Sequence, residues 1–257
     1  MIRQFGWGEF LFLLEGARWT VVLSLLAFTA GGALGLAVAL GRTSKWKWLR
    51  ILMATYIQIF QGTPLLVQLF FVYFGLPLVG IKVDVWVALT IGLSLHTSAF
   101  LGEIWRGSIQ AVPDGQSEAA RALGIGYVHR MVDIALPQAF RIGLPATISF
   151  LVNLIKGTAL AALLGLTELT RSGQLMANIT FQPLQVYGAV ALIYFFICIP
   201  LYHKKSCSVQ IANNSRITKV LRSKYLFRRR CSTRWRLSNF NIINNERTIN
   251  HCLNAWM

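Results

Sequence analysis

The sequence predicts an all-α membrane protein of about five transmembrane helices, and three observations predict it. Apolar residues make up 55% of the 257 positions and charged residues only 13%, against about a quarter charged in an ordinary soluble domain. Mean hydropathy is +0.54. The apolar residues are bunched rather than spread at helical or strand period: residues 19–40 form 22 consecutive positions without a charge, enough to cross a hydrocarbon core of roughly 30 Å as a helix.

Five blocks follow in order, at about 19–41, 51–76, 84–105, 144–166 and 184–202. Each must be helical, because backbone polar groups in lipid have to be satisfied within their own segment. No short apolar stretch with a small-residue cleavage site opens the chain, so the first span is expected to stay in place as a signal anchor. Basic residues set the orientation. The first connection carries Arg42, Lys45, Lys47 and Arg50, and the third, about 106–143, carries Arg106, Arg121, Arg130 and Arg141. The other two connections carry Lys82 and Arg171. Five crossings then place the N-terminus outside and the C-terminus in the cytoplasm, with Trp46, Trp48 and Trp105 at the interfaces.

The third connection is cytoplasmic in this arrangement. Pro113-Asp114 reads as a helix start with Asp114 as the cap. A short Ala-rich helix over 115–123 is expected to end at Gly124 in the left-handed conformation, and a second over 127–135 to stop before Pro137. Small side chains at Ala119 and Ala120 would admit another protein close to the backbone. By amphipathicity alone the segment also fits a helix lying on the membrane, with Arg121 and Arg130 meeting lipid phosphates.

Polar residues inside the spans are candidates for function, since burying them in lipid is costly. In the second span Gln58, Gln61 and Gln68 share one helical face, and Pro64, after Gln61-Gly62-Thr63, should kink or break the helix. Either an ordinary kink with glutamines bonding neighbouring helices or a water-filled cavity fits this pattern. In the fourth span Ser149, Asn153 and Lys156 share a face. Lys156, at mid-span, should point inward towards an anion, either a carboxylate solute or Glu103; a structural ion pair is the alternative. Gly157 and Thr158 would permit close packing or local unwinding. In the third span His96 and Glu103 share a face, and Glu103 also lies three residues from Arg106, within reach of an ion pair. No HExxH, GxSxG or GxxxxGK[ST] pattern occurs, so no catalytic residue and no metal ligand set is expected, and any ATP chemistry would belong to another chain.

Glu118-Ala119-Ala120, three residues, Gly124, nine residues, then Ile134, Leu136 and Pro137 is a spacing that resembles the signature loop of the permease subunits of ATP-binding-cassette importers. Gln61-Gly62-Thr63-Pro64-Leu65-Leu66-Val67-Gln68, Glu103-Ile104-Trp105-Arg106-Gly107, Asn153-Leu154-Ile155-Lys156-Gly157-Thr158-Ala159-Leu160 and Glu168-Leu169-Thr170-Arg171 resemble the polar amino acid permeases of the histidine/glutamine/arginine/opine type. The resemblance covers about residues 10–202. It implies a MetI-like (type I importer) transmembrane domain over 1–202 in the bacterial inner membrane, paired with an identical or sister permease. It also implies two docked ATPase subunits that carry ATP and Mg, and an extracytoplasmic solute-binding protein. Carried onto this chain, Glu118, Ala119, Ala120, Gly124, Ile134, Leu136 and Pro137 would couple to the ATPase, and Gln61, Thr63, Gln68, Glu103, Asn153, Lys156 and Thr158 are candidates for the solute path. The family often has an acid where this chain has Gly157. The rival from another class is a passive channel or secondary transporter for small polar solutes, without ATPase coupling.

Residues 203–257 depart from that pattern. They hold 12 of the 25 basic residues and one acid, Glu246, while all 21 glycines and all 7 prolines precede them. The segment lacks the apolar pattern for its own core and is expected to be disordered, as an unrelated or frameshift-like extension or as a basic arm for anionic lipid or nucleic acid; membrane lipid, not nucleic acid, is the expected contact. Cys207, Cys231 and Cys252 are too widely spaced for a metal or disulfide framework.

Overall fold

A computed structural model describes the backbone of residues 6–228 and the side chains of residues 6–205, Tyr127 excepted. Nine α-helices follow in order among them: α1 (Trp7–Thr43), α2 (Lys47–Gly62), α3 (Leu65–Leu78), α4 (Val85–Gln110), α5 (Asp114–Ala122), α6 (Tyr127–His129), α7 (Leu136–Gly157), α8 (Leu169–Thr180) and α9 (Pro183–Arg228). A π-turn, Arg130–Ala135, joins α6 to α7, and a 3₁₀ segment, Thr158–Leu164, follows α7. The chain divides into two compact units, residues 1–202 and 203–257.

Four stretches are long and apolar enough to span a membrane: Trp7–Thr43, Val85–Gln110, Arg130–Leu164 and Pro183–Lys205. The expected second span is instead a pair of helices, Lys47–Gly62 and Leu65–Leu78, bent by 106°. Pro64 explains the break. It has no N–H for the Phe60 carbonyl, and its ring would strike that carbonyl in a continued helix. One consequence corrects the sequence reading, because Gln68 lies beyond the break and does not share a helical face with Gln58 and Gln61.

α1 and α4 form the spine of the bundle. Gly31 and Gly35, spaced by four on α1, let the two backbones approach as small residues do in membrane helix pairs. A Cβ on Gly31 would lie 2.5 Å from the Thr97 Cβ, and one on Gly35 3.2 Å from both the Leu101 Cβ and the Ser98 carbonyl. α3, α7 and the 3₁₀ segment pack around this seam, burying Leu69, Leu93, Leu101, Phe150 and Leu154. A second cluster (Leu13, Ala17, Leu169, Val190 and Ile193) joins α1, α8 and α9. Leu25, Leu34, Phe71, Phe195 and Phe196 stay exposed, as suits a surface solvated by lipid rather than water.

Backbone helix continues through residues 203–228, the described part of the segment expected to be disordered. With no glycine or proline after 202, nothing in the local sequence stops it. The remainder of the tail, with Cys231 and Cys252, and residues 1–5 lie outside the described residues.

Candidate coupling loop and polar sites of the spans

α4 ends at Gln110, and after a single short connection, residues 111–113, the chain enters α5, which carries the EAA segment. Pro113, extended at φ −59° and ψ 131°, occupies the cap position of α5. The expected capping role of Asp114 is therefore not met: Asp114 is already helical, and no side-chain cap bond forms. Its charge still lies in the first turn, where the helix dipole favours an acid. At the other end Gly124 has φ +73°. Gly124 N–H donates to the Arg121 carbonyl at 2.9 Å and Ile125 N–H to the Ala120 carbonyl at 3.0 Å, the paired bonds of a Schellman turn. A side chain at that φ is strained, so the residue type and the turn imply each other.

Glu118 and Ala119 are exposed while Ala120 is 3% exposed. Only Ala119 of the two alanines thus offers a close approach; Ala120 is packed inside the loop. The second short helix does not stop before Pro137. It widens through the π-turn, where Leu136 N–H reaches the Met131 carbonyl, and continues into α7 with Pro137 in its first turn. The wider turn relieves the clash that a proline ring makes with the carbonyl four residues earlier. Ile134 and Leu136 are half-buried and Pro137 is exposed. Leu123 (79% exposed), Val128 and Val132 add exposed apolar surface to the same connection; the sequence reading passed over these three, although Val128 and Val132 stand one helical turn apart.

The path candidates separate. Gln61 and Thr63 are exposed at the break, whereas Gln68 is 8% exposed. The Gln68 amide Nε2 donates to the Phe60 carbonyl at 2.7 Å and to the Thr63 carbonyl and Oγ1, each at 2.9 Å. Since its hydrogens face only acceptors, the Gln68 Oε1 receives the His96 Nδ1–H at 3.0 Å, which fixes the His96 tautomer. Glu103 accepts a bidentate bond from Arg106, with Nε donating to Oε2 at 2.8 Å, and Arg106 also donates to Gln110 Oε1 at 2.5 Å. The structure thus pairs Glu103 with Arg106 and not with Lys156. Asn153 and Lys156 are exposed on α7, and among the described residues Lys156 pairs with no carboxylate. Its expected inward direction is not met in the single subunit. Thr158 is fully buried, its hydroxyl donating to the Ile155 carbonyl at 2.7 Å, and the chain overwinds there into the 3₁₀ turn instead of unwinding. Trp105 does not simply face the interface: its indole N–H donates to Thr147 Oγ1 on α7 at 3.1 Å.

Over residues 18–203 the chain matches the family described as binding-protein-dependent transport system inner membrane component. The chain belongs to this family. It is 39% identical over 190 residues to the probable amino-acid ABC transporter permease protein YckA of Bacillus subtilis (strain 168), covering 74% of this chain and 84% of that one. The solved structure of an amino acid ABC transporter with histidines superposes with a TM-score of 0.72 at 34% identity, covering 76% of this chain and 91% of that one. An inward-facing MetNI methionine ABC transporter superposes with a TM-score of 0.61 at 20% identity, covering 76% and 93%, and so shares the fold. The permease is thus a MetI-like, multi-pass inner-membrane transport subunit of a binding-protein-dependent system, not an enzyme.

Glu168 is the residue of this permease that sequence reasoning weighed least. It is fully buried. Its Oε1 caps α8 by accepting Arg171 N–H at 3.0 Å, and its Oε2 accepts the hydroxyls of Thr20 on α1 and Tyr194 on α9, both at 3.2 Å. Thr20 Oγ1 in turn accepts Leu169 N–H at 3.1 Å. An acid just outside an apolar stretch and immediately before a short helix was the available signal; its partners on α1 and α9 left none.

Proposed function

We propose that this chain is the permease of an ATP-driven importer for polar or basic amino acids. It works as half of a pair with an identical or sister subunit. Two ATPase subunits, carrying ATP and Mg, seat on the 114–137 loops, and an extracytoplasmic protein delivers the solute from the other side. The observation that carries this reading is the turned loop itself. Exposed Glu118, Ala119 and Leu123 stand before a glycine-specific turn, in the connection that the basic residues assign to the cytoplasm, with the N-terminus outside. The relatives named amino-acid permeases support the solute class. Gln61, Thr63, Asn153 and Lys156, exposed on this subunit, are polar in a lipid-facing bundle; a second subunit laid against them would close a polar path between the two, with Lys156 towards a solute carboxylate. Rigid-body rocking of the pair would then alternate access as the ATPases close and open.

Gly124→Val tests the reading. Uptake of radiolabelled amino acids should be lost while membrane insertion stays normal, because a β-branched residue at φ +73° costs about 1–3 kcal/mol locally and disorders the turn rather than the bundle. Normal uptake, or a purification that brings down no nucleotide-binding subunit with the unaltered chain, would leave the passive-channel reading standing.

A further inference from the structure

The broken second span leaves the last carbonyls of α2 without helical partners, in a part of the chain where an unmet backbone group is costly. Two side chains answer them. Thr63 Oγ1 donates to the Ile59 carbonyl at 2.8 Å, and Gln68, from the second turn of α3, reaches back to Phe60 and Thr63. Both limbs of the bend are then fixed on α4. Tyr56 of α2 donates to the Leu95 carbonyl at 3.0 Å and lies 2.6 Å from Ser98 Oγ. On α3, Leu69 packs into the space left by Gly92, a Cβ there being 2.8 Å from its Cδ2. That contact carries the preceding residue, Gln68, to His96, one turn along α4. His96 itself joins an aromatic cluster with Phe100, at 4.5 Å, and Phe150 of α7, at 6.2 Å, rings that also stack on each other at 5.4 Å.

We infer that Gln68 is a positioning residue: its amide clamps the two limbs of the broken span at their bend and, through His96, sets that bend in register with α4 and α7. Proline alone forbids a straight helix but leaves the angle open. The amide supplies what proline lacks, two donors for carbonyls on one side of the break and an acceptor for a neighbouring helix on the other. Gln68 therefore acts on transport through the placement of Thr63 and the break, not through contact with solute; this last point rests on the importer reading, whereas the clamp does not.

The test uses full-length chain in lipid nanodiscs, with Cys198→Ala, Cys207→Ser, Cys231→Ser and Cys252→Ser, and spin labels at Leu52→Cys and Leu78→Cys, both exposed, diluted with unlabelled chain. The clamp requires one narrow distance in the parent, a broadened or longer distribution in Gln68→Met, which keeps the side-chain length without donors, and an intermediate one in Thr63→Val. Thr63→Val removes one acceptor of the Gln68 amide and the hydroxyl that donates to the Ile59 carbonyl while keeping the packing, so it reads the side-chain bonds at the bend even where Gln68→Met does not fold. An unchanged distribution in both variants overturns the clamp, whatever the protein transports. In uptake assays Gln68→Met should lower Vmax about tenfold, the factor for roughly one net hydrogen bond, at unchanged KM. A raised KM with unchanged Vmax would make Gln68 a solute contact and overturn the positioning role. Absent uptake by the unaltered chain with a narrow bend would count against the importer reading alone.

Discussion

Gln68 and Glu168 are both buried polar side chains that bind freed backbone groups and a neighbouring helix, yet they meet opposite partners. Gln68 faces carbonyls on one side and an imidazole N–H on the other. Glu168 faces a backbone N–H and two hydroxyls, each from a different helix. The chemistry of each side chain matches its place. The end of a helix presents acceptors and needs an amide's donors, whereas the start of a helix presents donors and suits a carboxylate. The two also differ in what lies beyond them. Thr63 and Pro64 beside Gln68 are exposed, so its partners could turn to water in a polar path. The surroundings of Glu168 are closed: Thr20, Leu169 and Ser172 are buried with it. One therefore reads as a clamp on a joint, the other as a rivet through three helices.

The contrast can be broken by substitution, and the largest effect on stability is expected at the rivet. Glu168→Leu takes the acceptor from the Arg171 N–H, at about 1–3 kcal/mol if it finds no substitute, and leaves the Thr20 and Tyr194 hydroxyls only the Gly16 carbonyl and Thr170 Oγ1. Its thermal inactivation in detergent should fall well below that of every other variant. A parent-like inactivation temperature would show that water enters this cluster. Glu168→Gln keeps the shape but turns an NH₂ towards at least one donor, and should cost about 2 kcal/mol by the same assay. Gln68→Met is expected to lose only about 1 kcal/mol in stability while losing most of its transport; a stability loss matching that of Glu168→Leu would erase the distinction between joint and rivet. Tyr194→Phe, which removes one donor to Glu168 and leaves the other two, should sit at the small end, near 0.5–1 kcal/mol.

Much of this could be read along the chain. The spans were legible because lipid demands about twenty apolar residues per crossing and internal satisfaction of the backbone. The break was legible in Pro64, whose ring fixes φ and removes a donor, and the loop's turn in Gly124, which alone adopts a positive φ without strain. The edges of these readings failed for local reasons too: Pro113 took the cap from Asp114, and the π-turn carried helix through Pro137 into α7. Lys156 was expected to point inward because a lone cation in lipid is costly; on this subunit it is exposed beside Asn153, and what faces it is a matter of assembly. Glu103 had two readings open, and proximity along the helix to Arg106 decided it.

What the sequence by itself determined is the set of apolar spans, the rupture at Pro64 and the turn at Gly124. These follow from hydropathy, from the fixed φ of proline and from the freedom of glycine to take a positive φ, all of which act within a few residues. Only the tertiary structure decided that the bend measures 106°, that Gln68 grips Phe60 and His96, and that Glu168 gathers Thr20 and Tyr194. Those pairings depend on the rotation of each helix about its own axis. That rotation is set by the small-residue seam of Gly31, Gly35 and Thr97 and by the packing of Leu69 on Gly92, contacts between residues dozens of positions apart that no local period encodes.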